Sequence, residues 1–323
     1  MSHARLAYAV LPSLVFSTGL AVLTALAGCA SISASASART LSVGPQAAFR
    51  RPSQAIASAG AGDTVLIQPG TYYDCAVVHA NNLTIAGAGP GVVLTDTTCQ
   101  GKAILVTAGN NITVRNLTLQ RARVADGNGA GIRAEGTNLT IDGVRFLDNQ
   151  DGILSADDPA STIRITNSDF ERNGTCDHGC AHGIYANSLK LLDIEHTRFF
   201  DQHVGHHIKS RAARTVLIDD VIEDGPNGTA SYLVDISNGG GVLMQGCTLE
   251  KGPNAQNHST AVTIGEEGVN QPTPSLIFRD NHFTNDMAYP TLFVRNLTAT
   301  PAQLIGNVFK GQIKPLEGDG SVH

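Results

Sequence analysis

Asn138-Leu139-Thr140-Ile141-Asp142-Gly143-Val144-Arg145-Phe146 is one copy of a phrase that runs through the chain. Its strand-like first half recurs as Asn82-Leu83-Thr84-Ile85, Asn111-Ile112-Thr113-Val114 and Thr162-Ile163-Arg164-Ile165. It continues as Leu191-Leu192-Asp193-Ile194, Thr215-Val216-Leu217-Ile218, Gly241-Val242-Leu243-Met244 and Ser275-Leu276-Ile277-Phe278, and ends with Gln303-Leu304-Ile305-Gly306. From Leu83 to Leu304 the step averages about 28 residues, a period that marks a stacked architecture. The fuller pattern, Thr-Ile-x-Gly/Asn-x-x-Phe, returns around Thr166-Asn167-Ser168-Asp169-Phe170 and His196-Thr197-Arg198-Phe199. Gly and Asn punctuate the turns. No helical period separates the strands. One such unit cannot bury its own apolar face, so neighbours must stack. The expectation is an all-β, single-domain parallel β-helix. Its Asn-x-Thr triplets are turn and ladder chemistry, not glycosylation signals.

The solenoid needs a start. Pro52 to Ala59 reads as a short amphipathic capping helix. Gly62-Asp63-Thr64-Val65-Leu66-Ile67-Gln68-Pro69-Gly70-Thr71-Tyr72 follows, and it closely resembles the entry to right-handed β-helix proteins of the pectin-lyase-like superfamily. The resemblance covers residues 50–310 and implies a right-handed solenoid there, with 311–323 as a polar tail. Its motifs are specific for fold and say little about activity.

Met1 to Arg5 form a short charged start, Leu6 to Ala27 are almost wholly apolar or small, and Leu26-Ala27-Gly28-Cys29 closes the segment. This reads as a signal peptide over 1–28. Its ending resembles a bacterial lipoprotein cleavage box, which implies Cys29 as the lipid-bearing first residue of the mature chain. The alternative is cleavage near Ala38, with Cys29 lost. Residues 29–49 are then tether and lead-in, flexible over the Ser/Ala run. An exported protein is expected, periplasmic or anchored to the outer membrane, touching the bilayer only through a lipid. Beyond the signal no apolar run is long enough to span a bilayer. The net charge of −6 and the lack of a long Lys/Arg run argue against nucleic acid. Trp is absent, so the flat aromatic platforms used for neutral sugars are scarce, and a charged ligand fits better. A monomer is expected.

Export puts the cysteines in an oxidising space. Cys75 and Cys99 lie slightly less than one coil apart, and coils stack about 5 Å from each other, which suits a disulfide. Closing that loop contributes roughly 3 kcal/mol. Cys176 and Cys180 form a second candidate pair, and Cys247 is left as a small buried apolar group. Cys176-Asp177-His178-Gly179-Cys180-Ala181-His182 also admits a zinc reading, disfavoured because exported cysteine pairs more often oxidise.

A second strand precedes each phrase. Aligned by inward aliphatics, these strands give Ile104, Ile132, Ile153, Ile184, Ile208, Val234 and Val262. Successive side chains alternate faces, so Leu105, Arg133, Leu154, Tyr185, Lys209, Asp235 and Thr263 point outward. Two residues on, the same face carries Glu135, Asn187, Arg211 and Ser237. Tyr185, Lys209 and Asp235 should form a column with Asn187, Arg211 and Ser237 beside it. Placing Leu233 inward would instead turn Asp235 into the core. In Gly205-His206-His207-Ile208-Lys209-Ser210-Arg211, alternation puts His207 on the face of Lys209 and Arg211, with His182 and His206 near the strand entrances. The bland readings are a surface Lys–Asp pair worth under about 1 kcal/mol, a packing Tyr and turn-satisfying His residues. Glu266-Glu267 is a solvated turn, or reaches the groove, or holds a cation such as calcium.

Such a wall suits a uronate polysaccharide. Arg211 grips the carboxylate in bidentate fashion, which eases removal of the proton on the adjacent carbon. Lys209 is the candidate general base, since a like charge beside it disfavours its protonated form. Tyr185 or His206 gives a proton to the departing oxygen, and Asp235 completes the catalytic set. His182, Asn187, His207, Arg133 and Glu135 are candidate substrate-binding residues. Ile208-Lys209-Ser210 resembles the strand that carries the catalytic lysine in chondroitinase-B-like and alginate lyases, which implies Lys209 as base. Those enzymes also use an arginine about one coil later, and often calcium. Here that position reads Val234-Asp235, and Arg211 substitutes. The stretch from Ala181 to Gly240 looks more like a group of uncharacterised exported β-helix proteins, which implies no activity. The first expectation is a polysaccharide lyase. A glycoside hydrolase pairing Asp235 with Glu135 or Glu266, a uronate epimerase, and a non-catalytic envelope polysaccharide binder are the alternatives.

Overall fold

Nine of the strands in this chain are the nine repeated phrases, and each pairs with the next. Ile85, Val114, Ile141, Ile165, Ile194, Leu217, Met244, Phe278 and Leu304 sit side by side in consecutive parallel registers. They belong to a twelve-stranded sheet, and two ten-stranded parallel sheets complete about eleven coils. The computed structural model describes residues 37–323, together with Ala9, Ser13 and Leu14. The expected signal segment, Cys29 and the Ser/Ala tether up to Ala36 lie outside the described residues. The architecture is a right-handed parallel β-helix. No described helix is long and apolar enough to cross a membrane.

The turns explain why Asn recurs. Asn82, Asn111 and Asn138 all have positive φ, at 56°, 56° and 65°, a region that Asn tolerates better than most side chains. Their amides then form a ladder: Asn111 donates to Asn82 at 3.0 Å, and Asn138 donates to Asn111 at 2.9 Å. The next corner has the same requirement, met by Gly143 at φ +63° and Asn167 at +51°. Inside, the repeated Phe positions stack. Phe146 lies 4.5 Å from Phe170, which lies 4.7 Å from Phe199, centroid to centroid. Burying each such side chain contributes about 1.5–3 kcal/mol.

The helix Pro52–Ser58 caps the start, burying Pro52, Ala55 and Ile56 against the first coils. Both boundaries of the solenoid move outward from expectation. Thr40–Val43 is already a strand of the large sheet, and Ile313–Glu317 and Gly320–Val322 continue the stack through the supposed tail. Leu41 and Val43 of the first strand are buried in the core, whereas the last two strands are half-buried or exposed. Cys75–Cys99 and Cys176–Cys180 are disulfides, and Cys247 is fully buried. With both sulfurs of Cys176 and Cys180 bonded to each other, the zinc reading loses its thiolates.

The wall that matters is one of the ten-stranded sheets. Ile132, Ile153, Ile184, Ile208, Val234 and Val262 pair in series, so Val234 and not Leu233 is the inward partner of Ile208. One register differs from expectation. Leu105 pairs with Ile132, so Val106 and not Leu105 lies beside Arg133. Ala103-Ile104-Leu105-Val106 is a continuous apolar run, and such a run has no alternation by which to phase it.

Candidate functional site

Three unlike side chains meet in the middle of this wall. Tyr185 pairs with Lys209, and Lys209 pairs with Asp235, across the strands Ile184–Ala186, Ile208–Ser210 and Val234–Ile236. Lys209 Nζ lies 3.4 Å from Asp235 Oδ2 and 5.6 Å from the centre of the Tyr185 ring. Ser237 donates to the same Asp235 oxygen at 2.7 Å. The other oxygen of Asp235 is buried without a hydrogen-bond partner. Burial pushes this carboxyl up, against the pull of the Lys209 charge and the Ser237 hydrogen bond.

Arg211 follows directly after its strand and spreads over the neighbouring coil. Its Nη1 donates to Asn187 Oδ1 at 2.9 Å and to the Tyr185 hydroxyl oxygen. Asn187 is held for this by its own Nδ2, which donates to Ser155 O at 2.7 Å. The Tyr185 oxygen therefore accepts from Arg211, and its hydrogen is free to point into the groove. The rest of the Arg211 fork is occupied. Nε and Nη2 donate to Glu267 Oε2 at 3.0 and 2.6 Å, while Lys209 Nζ donates to Glu267 Oε1 at 2.6 Å. Glu267 sits on an exposed turn pinned by its backbone N–H, which donates to Ser237 O at 2.9 Å. Desolvation pushes its carboxyl up, but the hydrogen bonds from Lys209 and Arg211 outweigh this and hold it below its ordinary value. Of the expected roles for Glu266-Glu267, Glu267 reaches the groove. Glu266 instead accepts from Thr263 Oγ1 at 3.0 Å. The sequence-level picture of two bare cations side by side is corrected: a carboxylate lies between them.

The histidines are ordered by the backbone. His206 N donates to His182 Nδ1 at 3.0 Å, and Tyr232 N donates to His206 Nδ1 at 3.2 Å. Both rings thus accept at Nδ1 and carry their hydrogen on Nε2. Gly205 makes the bend, at φ +82°, where an added Cβ would lie 2.2 Å from Ala181 O. The two rings stack at 4.6 Å, and His182 meets the Tyr185 ring edge-on at 5.0 Å. Burial, then the Lys209 charge, lowers His206 to about 3, and burial, then His206, pushes His182 well down. Both are neutral at neutral pH. His206 Nε2 lies 3.6 Å from Asp235 Oδ2, at the edge of the column.

His207 is not on the wall. It is buried, with Nε2 2.9 Å from Asp224 Oδ1, in an interior cluster with Lys251, whose Nζ lies 3.6 Å from Asp224 Oδ2. The reason is local: the strand begins only at Ile208, so strict alternation does not reach back through the Gly205 bend. His207 is therefore withdrawn as a substrate contact. Arg133 and Glu135 lie farther along the wall, where they line a groove of about 430 Å³ with Lys102 and Asn187. Lys102 Nζ pairs with Glu135 at 2.6 Å. A larger groove of about 470 Å³ elsewhere on the solenoid has Arg145 as its one charged lining residue and offers no acid–base partner. Among the described residues no cluster of three or more His, Cys, Asp or Glu side chains converges as a metal site.

Sequence reasoning held Glu267 only as one option among a solvated turn, the groove and a cation site, and it missed Tyr232 and Asp151. Asp151 Oδ1 accepts from His182 N at 2.6 Å, which seats the histidine stack. Strict alternation from Ile153 would turn Asp151 inward, but it pairs with Ala130 and lies with Leu154 and Tyr185 outside the core, so a list phased on Ile153 does not include it. A buried acid in an otherwise apolar strand is the signal that finds it.

No protein-family profile matches the chain, and no curated protein matches it in sequence. Solved structures do match. An alginate lyase from Paenibacillus sp. str. FPU-7 is 17% identical, with a TM-score of 0.62 over 86% of this chain and 99% of that one. The rice weevil pectin methyl esterase is 12% identical, with a TM-score of 0.49 over 62% and 75% of the two chains. The Aspergillus niger pectin methylesterase is also 12% identical, at 0.48 over 87% and 91%. The first likeness shows the fold, and the other two are too loose to carry more.

Proposed function

We propose that the chain is an exported polysaccharide lyase acting on a uronate-containing polymer. The observation that carries this reading is that Lys209 and Arg211 already grip a carboxylate, that of Glu267, through three hydrogen bonds of 3.0 Å or less. A sugar carboxylate has the same two oxygens and the same charge. Substrate would displace the exposed Glu267 side chain and take its place on the Arg211 fork. With the substrate carboxylate on the Arg211 fork, Lys209 is the base that takes the proton from the carbon bearing that carboxylate. The electron pair forms the carbon–carbon double bond, the bond to the bridging oxygen breaks, and Tyr185 gives that oxygen its hydroxyl proton. His206, neutral with its hydrogen on Nε2, serves as a hydrogen-bond donor and not as the acid. The fold shared with an alginate lyase and the two disulfides are in keeping with an exported enzyme of this kind. Calcium has no assigned role, since Glu266 and Glu267 face protein cations.

One observation favours a second reading. Asp235 is pushed up by burial while Glu267 is held down, and two carboxyls driven apart in this way suit the acid and base of a glycoside hydrolase. One assay separates them. Alginate, polygalacturonate and other uronate polymers are incubated with the protein, and the ultraviolet absorbance of the unsaturated product is followed. A rise that vanishes in Lys209→Ala supports the lyase. New reducing ends without absorbance, lost in Asp235→Asn, support the hydrolase. Inverted sugar stereochemistry without chain cleavage would identify an epimerase.

A further inference from the structure

Beside Tyr185, on the side away from Asp235, the wall opens into a cavity of about 160 Å³ lined by Asn128, Asp151, Leu154, His178, Ala181 and Tyr185. The disulfide-closed loop Cys176–Cys180 forms part of its rim. Two polar atoms here are buried without any partner: Asp151 Oδ2 and Asn128 Oδ1. Asp151 is 0% exposed, and its other oxygen is committed to His182 N. A buried polar atom left unpaired is costly, and such atoms call for an explanation. Two of them lining one cavity are explained together if the cavity receives hydrogen-bond donors from outside.

We propose that this cavity is a sugar subsite next to the Lys209 centre, which takes the hydroxyl edge of the ring adjoining the gripped uronate. The proposal deepens the polysaccharide reading and rests on it. The two orphan atoms are oxygens, so they call for hydroxyl groups, which both donate and accept. Lys and Arg are absent from the lining, so a second sugar carboxylate has no partner there. Leu154 and the half-buried Tyr185 offer an apolar surface for the carbon side of a ring. Burial also holds the Asp151 carboxyl up, to about 8, against the His182 N–H bond and the Arg133 charge, so the group can donate as well as accept. The cavity is continuous with the chemistry: Asp151 seats His182, whose ring abuts Tyr185. A cation is the competing occupant, since Asp126 also lies on the lining, but among the described residues no three His, Cys, Asp or Glu side chains converge as a metal site.

The test uses Lys209→Gln as a binding-competent background that does not turn substrate over. Uronate oligosaccharides of increasing length are titrated by calorimetry into it, and into the same background carrying Asn128→Leu or Asp151→Asn. Asn128→Leu is expected to weaken the longer oligosaccharides roughly tenfold, the loss of one good hydrogen bond, while the shortest one gripped by Arg211 is unaffected. Asp151→Asn keeps an acceptor for His182 N, so its effect reads the lost oxygen and not misfolding, and thermal midpoints check this. Equal affinities across the series overturn the subsite and leave the lyase reading standing. Asn128-dependent binding of neutral glycans, with no uronate bound, keeps the subsite and overturns the uronate. Tight binding of calcium chloride alone, lost in Asn128→Leu, overturns the sugar assignment in favour of a cation. No glycan bound at all overturns both.

Discussion

Two columns of side chains run along the same solenoid, built by the same stacking. In one, Asn82, Asn111 and Asn138 repeat a single residue, and each amide satisfies the next. In the other, Tyr185, Lys209 and Asp235 occupy equivalent positions and are all different. Stacking identical residues solves an architectural problem once and copies the answer. Stacking unlike residues gains nothing architectural, since Lys209 and Asp235 must be desolvated to sit there. In a repeat protein the break in the repeat is therefore the informative place. The break here gathers two cations, two carboxyls, a phenol and two neutral histidines.

The sharpest way to separate the columns is Lys209→Gln. Turnover of the uronate polymer should fall roughly 10²–10⁴-fold, the usual contribution of a proton-transfer group, with the fold intact by circular dichroism. A loss under tenfold would place the base elsewhere. The reverse separation comes from Phe170→Ala in the interior stack. It should cost about 3–5 kcal/mol in urea unfolding, and the variant should still turn substrate over under native conditions. Arg211→Lys comes next. Losing the fork that meets Asn187, Tyr185 and Glu267 should cut kcat/KM by roughly 10–100-fold, because a lysine cannot make the bidentate contact. Asn111→Ala should cost only about 1 kcal/mol and leave kcat/KM unchanged, which confirms the ladder as architecture. The smallest effect is a pH difference. The Glu267 carboxyl lies below its ordinary value, so its contribution is complete above the normal carboxylate range and is lost as pH falls through the folded value. Between about pH 5 and pH 3, wild-type thermal stability should drop slightly more than that of Glu267→Gln.

The nine phrases made the solenoid legible, because a period and a two-residue alternation survive in sequence without any long-range information. The same alternation, phased by Ile184, Ile208 and Val234, put Tyr185, Lys209 and Asp235 in one column. It failed where its premise failed. His207 lies beyond the strand end at Ile208, and Ala103–Val106 has no polar residue to set the phase. Which of its three open roles Glu267 fills was beyond reach for another reason. It contacts Lys209 from 58 residues away, on a turn whose path no local pattern fixes. Asn128 was hidden because its significance lies in a hydrogen bond it does not make.

The central claim is that the Lys209–Arg211 pair exists to hold a carboxylate that belongs to someone else. A crystal structure of Lys209→Gln soaked with a uronate oligosaccharide tests it directly. The account predicts the sugar carboxylate on the Arg211 fork, the scissile oxygen facing the Tyr185 hydroxyl, and Glu267 swung out to solvent. A glycan bound elsewhere on the solenoid, with Glu267 still clamped to Arg211, would contradict it.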